Sequence, residues 1–160
     1  MIFGRNRVNG QRGFTLVEVI AIVAIIGIAS VAAIPQFVTF LSAMKTRGAS
    51  QELTTVLQQA RELAIARNTN YQVNIDVNAN RLQFVDNSTG NVWIGPGTDA
   101  QGFRRLVNQS QLTGAPANPI IFNPLGTARG GTITVQNAQG TSSLNVVVSS
   151  AGRVQIQQAQ

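Results

Sequence analysis

Cysteine and histidine are both absent from the 160 residues. Without cysteine the chain can build neither a disulfide framework nor a thiolate metal site. Without histidine it lacks the usual general base near neutral pH, the commonest zinc ligand, and every Ser-His or Cys-His nucleophile pair. Charge is sparse as well: 11% of residues are charged and 44% are hydrophobic, and the balance is rich in Gly, Ser, Thr, Asn and Gln. That composition suits short strands and turns beneath a polar surface. Together the absences argue against an enzyme and predict neither cofactor nor metal. The length fits one core with one extra element better than two filled cores.

The net charge of +6 resembles a polyanion-binding signal until its position is considered. Arg5, Arg7 and Arg12 all precede the longest apolar run, which leaves nine basic against six acidic residues in the rest of the chain. A mildly basic solvated surface follows, with no concentrated basic stripe.

Positions 19–35, VIAIVAIIGIASVAAIP, carry no charge. As a helix they extend roughly 26 Å, close to the thickness of a bilayer's hydrocarbon core. The arginines ahead of them predict a cytoplasmic N-terminus and an extracytoplasmic remainder. A cleaved signal peptide, with Val31-Ala32-Ala33 before Ile34, is the competing reading. Glu18 opposes it, because a carboxylate inside an apolar segment costs about 2.5–3.5 kcal/mol on insertion scales and an ordinary signal has no use for one.

Gly13-Phe14-Thr15-Leu16-Val17-Glu18, followed by an apolar helix containing Pro35, resembles the class III signal of type IV pilins and type II secretion pseudopilins. The resemblance implies prepilin peptidase cleavage between Gly13 and Phe14, methylation of Phe14, and retention of the apolar helix for assembly. It also implies that Glu18 neutralises the Phe14 amine of a neighbouring subunit, setting register more than adding stability. Gly27 and Pro35 bracket a weak stretch, since proline lacks the amide hydrogen and crowds the preceding turn. A kink and an unwound segment are both compatible with it.

Beyond Pro35, Leu53, Val56, Leu57, Ala60, Leu63 and Ala64 recur at helical spacing opposite Gln51, Glu52, Thr55, Gln58, Gln59, Arg61 and Glu62. One long helix, roughly 14–68, is therefore expected, amphipathic in its second half, with Gly48 its weak point and Asn68 its stop. The period then changes to two. Strands are predicted at 71–77, 81–85, 92–95, 120–124, 131–140, 143–150 and 153–157, with a loop-rich stretch over 95–118. The fold class is α+β, pilin-like, with the helix packed on antiparallel sheets. Three regions are expected: a cytoplasmic leader at 1–13, an apolar transmembrane and assembly helix at 14–38, and an extracytoplasmic globular domain at 39–160. The helix end QQARELAIARNTNYQVNI and the later FNPLGTARGGTITV and LNVVVSSAGRVQI are similar to the GspH/FimT subgroup of minor pseudopilins and minor pilins.

The remaining candidates are weaker. Gly95-Pro96-Gly97 and Gly126 to Gly131 lack the strand-to-helix setting and lysine of a phosphate loop and read as turns. Asp76, Asp86 and Asp99 lack calcium-loop spacing. Tyr71 and Trp93 read as core or partly buried aromatics. The segment 96–119 is the expected recognition loop. Arg104, Arg105, Arg129 and Arg153 form the one basic group to test for DNA contact. Some FimT-type pilins implicated in DNA uptake carry Gly-Arg-x-Arg; here Gly152-Arg153-Val154-Gln155 lacks the second arginine.

The resemblance thus implies a non-catalytic minor subunit, held in the bacterial inner membrane and assembled into a type II secretion pseudopilus or type IV pilus. Its partners would be prepilin peptidase, other pilin or pseudopilin subunits, the inner-membrane assembly platform and, before assembly, membrane lipid. A major fibre subunit and a DNA-binding minor pilin are the alternatives.

Overall fold

The computed structural model describes residues 13–106 and 110–159. The chain divides into two compact units, Met1–Val38 and Thr39–Gln160. One helix, α1 (Leu16–Arg67), supplies residues to both.

In the first unit the described apolar side chains of α1 are largely exposed. Val17, Ile20, Val23, Ile26, Ile28 and Val31 are all more than half exposed. A helix apolar all round has no solvent-facing side and needs lipid or other subunits to enclose it. Taken separately, neither Leu16–Val31 nor Ala33–Arg67 is long and apolar enough to cross a membrane; as consecutive helical stretches they meet that requirement together. The first falls short of the roughly 20 residues a bilayer demands.

In the second unit the amphipathic pattern is realised as expected. Ala49, Leu53, Val56, Leu57, Ala60 and Ala64 are buried, and Leu63 is partly buried against them. The stripe extends backwards through three polar residues, Ser42, Thr46 and Ser50, which are also buried. The Thr46 and Ser50 hydroxyls donate to the carbonyls of Ser42 and Thr46, at 3.1 and 2.9 Å, so their burial leaves no donor unmet. Gly48 does not interrupt α1. The helix ends at Asn68, whose φ of 50° is left-handed. Thr69 N–H bonds the Ala64 carbonyl and Asn68 N–H that of Ile65, the double closure of a Schellman motif.

Among the described residues nine strands follow: β1 (Tyr71–Asp76), β2 (Arg81–Asp86), β3 (Phe103–Arg105), β4 (Ser110–Gly114), β5 (Ile120–Phe122), β6 (Ala128–Arg129), β7 (Gly131–Asn137), β8 (Ser143–Val148) and β9 (Val154–Gln158). They form a five-stranded sheet, β3-β2-β1-β5-β6, and a four-stranded sheet, β4-β7-β8-β9. Every recorded pairing is antiparallel. Alternation sends Tyr71, Val73, Leu82, Phe84, Ile120 and Phe122 from one sheet, and Leu112, Ile133, Val135, Val146 and Val148 from the other, into a shared core with the helix stripe. The architecture is the expected long helix on antiparallel sheets.

Four sequence expectations are corrected. Residues 92–95 make only an isolated bridge, Val85↔Val92, because the chain turns away at Gly95. There the Trp93 ring lies so close that a Cβ on Gly95 would stand 2.1 Å from it. The stretch 95–118 is not all loop: β3 takes over the edge of β2 beyond that bridge, and β4 joins the second sheet. Accordingly 96–119 is not one continuous loop. The two-residue β6 is also additional. Trp93 is partly buried and packs on Phe84, ring centroids 5.7 Å apart, while Tyr71 is buried.

Candidate functional site

The leader motif sits at the start of α1. Gly13 and Phe14 precede the helix, and Phe14 is 75% exposed. A Cβ on Gly13 would meet nothing within 4 Å, so the glycine is not required there by crowding. Thr15 is the N-cap: its Oγ1 accepts from Glu18 N–H at 3.2 Å. Thr15 and Glu18 have the spacing of a capping box, a helix-start signal legible in the sequence. Glu18 lies in the first helical turn, exposed, where a carboxylate opposes the positive end of the helix dipole. Gly27 and Pro35 lie within α1, which is helical through both. Residues 1–12, including Arg5, Arg7 and Arg12, lie outside the described residues.

The four arginines expected to group together are dispersed. Arg104 and Arg105 lie on β3 and Arg129 on β6, the two opposite edges of the five-stranded sheet. Arg153 precedes β9 in the other sheet. Arg104 is half-buried and its Nη1 donates to Gln59 Oε1 at 3.2 Å, so it ties β3 to the helix. With the Gln155 amide oxygen turned towards Arg153, that oxygen accepts from Nε and Nη2 at 2.7 Å each. The residue standing in place of a second arginine thus engages the first.

The aspartates organise turns. Asp86 accepts from Ser88 N–H and hydroxyl and from the Thr69 hydroxyl, which ties the end of α1 to the turn after β2. The Ser88 hydroxyl above all, with its amide, holds the Asp86 carboxyl down at about 2. Asp76 is lowered by the Ala79 amide first and then by Arg81, its ion-pair partner at 3.1 Å. Asp99 accepts from the amides of Gln101 and Phe103. Among the described residues no three acidic side chains come together as a metal site.

The sequence motifs and the fold both have known counterparts. The family model described as type II transport protein GspH matches residues 49–152, more than half of the chain. That described as the prokaryotic N-terminal methylation motif matches residues 8–34. Among solved structures, the minor pseudopilin EpsH from the type 2 secretion system of Vibrio cholerae is similar at 20% identity, covering 71% of this chain and 97% of its own, with a TM-score of 0.55. The type IV minor pilin FimU of Pseudomonas aeruginosa is similar at 20% identity, covering 74% of this chain and 92% of its own, with a TM-score of 0.53. At such identities the likeness is one of fold. No curated protein matches the chain.

Proposed function

Since the chain belongs to the type II transport protein GspH family, of minor pseudopilins and pilins, we propose that it is a membrane-held prepilin, cut between Gly13 and Phe14, methylated at Phe14 and assembled through the apolar part of α1. The observation that carries this reading is a coincidence of place. The N-terminal methylation motif covers residues 8–34, and the helix beginning inside it at Leu16 bears apolar side chains exposed on every side.

The chemistry follows from the first turn. Cleavage converts the Phe14 nitrogen from an amide to an amine, which is cationic near neutral pH. In a packed bundle of such helices this cation and the Glu18 carboxylate of a neighbour are both removed from water, and each is costly alone. Pairing them offsets the cost only in the correct axial register, so the pair selects register. The Thr15 cap fixes the turn that carries Glu18. Before assembly, lipid covers the same apolar surface, with the globular unit extracytoplasmic and the N-terminus cytoplasmic.

The subunit acts as a minor component of a type II secretion pseudopilus or type IV pilus, initiating the fibre or relaying contacts near its tip, and catalyses no reaction. Its partners are prepilin peptidase, other subunits and the inner-membrane assembly platform. The test is incorporation: full-length chain and a Glu18→Ala variant are expressed with the peptidase and a major subunit, and sheared fibres are assayed for each. Wild-type chain in fibres and Glu18→Ala processed but left in the membrane is the expected result. Equal incorporation of both contradicts the role given to Glu18.

A further inference from the structure

Four sheet edges are formed by the described strands, and three are guarded against pairing. β3 carries Arg104 and Arg105, β6 is only two residues long, and β4 has a register shift between Leu112 and Gly114. Charge, shortness and bulges are the usual protections of an edge. β9 has none of them: Val-Gln-Ile-Gln-Gln contains no charge, no proline and no bulge, and pairs with β8 alone.

The ladder identifies which backbone groups are free. Ser149 N–H bonds the Arg153 carbonyl at 2.9 Å, so by antiparallel alternation Gln155 and Gln157 are the residues bonded to β8. Val154, Ile156 and Gln158 therefore direct their amides and carbonyls to the open side. Beside this edge runs a groove of about 500 Å³, between β9 and residues 43–51 of α1. Ala43, Leu144 and Ile156 give it apolar walls, Gln51 and Gln157 are polar, and Arg47 is its one charged lining residue. Arg47 is exposed and has no carboxylate partner among the described residues.

We propose that an extended segment of a partner protein adds to the edge of β9 as a fifth strand, with its inward side chains in this groove and one carboxylate on Arg47. Strand addition takes its affinity from main-chain bonds and its specificity from pockets for alternate side chains, and the groove supplies those pockets. Arg47, with no carboxylate partner among the described residues, sets the sign of the partner. A second copy is the wrong occupant: β9 paired with β9 of another chain sets two Arg47 side chains on the same face of the joined sheet, and neither groove lining contains an acidic residue.

The test uses full-length protein in detergent micelles and two fluorescein-labelled, end-capped peptides, Thr-Val-Thr-Glu-Thr-Val-Thr and the same sequence with Lys in place of Glu. By anisotropy, the Glu peptide is expected to bind about tenfold tighter than the Lys peptide, the scale of one charge-assisted bond. Arg47→Glu should reverse the preference. Ile156→Pro, which removes an outward amide without touching the bonds to β8, should abolish binding of both. Hydrogen exchange should slow at the amides of Val154, Ile156 and Gln158 when peptide is bound. Failure of both peptides to bind, binding indifferent to their charge or to Arg47→Glu, or protection of these amides by self-association alone would each overturn the proposal.

Discussion

Arg61 on α1 donates its Nε to the main-chain carbonyl of Gly126 at 2.8 Å. This carbonyl belongs to the turn between β5 and β6, so one side chain fastens the helix to the five-stranded sheet. The turn between β8 and β9 closes over the same point: a Cβ on Gly152 would lie 1.9 Å from the Gly126 oxygen. Helix and both sheets thus meet at a junction with no room for a methyl group.

Gly152→Ala is accordingly expected to destabilise the globular unit by about 2 kcal/mol or more, because it adds a main-chain clash to a left-handed φ of 75°. Arg61→Ala should cost about 1 kcal/mol by leaving the carbonyl unbonded. Urea denaturation of both variants measures the two effects, and a larger loss from Arg61→Ala would contradict this picture of the junction.

Leu57→Ala removes a fully buried side chain from the centre of the helix stripe. A cost of about 2–5 kcal/mol follows from lost transfer energy and the cavity left behind. The corresponding change at Ile65, half-exposed on the same helix, should cost under about 1 kcal/mol.

Acid sensitivity should trace to Asp86. Its folded-state value of about 2 lies below the ordinary 3.8, so the carboxylate contributes stability that is fully present above pH 3.8 and lost as pH falls towards 2. Thermal melts across that window should decline for the wild type and be flatter for Asp86→Asn. Parallel curves would remove Asp86 from the account.

The dispersal of the arginines predicts that no one of them dominates contact with DNA. Replacing Arg153 by Gln should weaken any DNA retention no more than replacing Arg105 or Arg129, and any retention should vanish with added salt. A selective loss at Arg153 would revive the DNA-binding alternative.

The long helix and most strands were legible because burial here follows simple periods. Leu53, Val56, Leu57 and Ala60 recur at helical spacing, and Tyr71, Val73 and Ile133, Val135 alternate. What escaped reading was set by tertiary partners. β3 is Phe-Arg-Arg and β4 has Leu112 as its one large apolar residue, so neither carries a periodic signal; each exists because a neighbouring strand left an edge to fill. Ser42, Thr46 and Ser50 are polar by composition yet buried, since a helix carbonyl one turn back satisfies each recorded hydroxyl. The leader motif was legible from particular residues at fixed spacing, while the grouping of Arg104, Arg105, Arg129 and Arg153 was not, because sequence proximity says nothing of which sheet edge a strand occupies.

The central claim is that Phe14 becomes the first residue of a chain that keeps its apolar helix. It is tested most directly by co-expression with a prepilin peptidase, followed by intact mass and N-terminal peptide sequencing. The account predicts a mature chain beginning with N-methylated Phe14 and retaining Glu18. A mature chain beginning at Ile34, with the apolar helix removed, would contradict it.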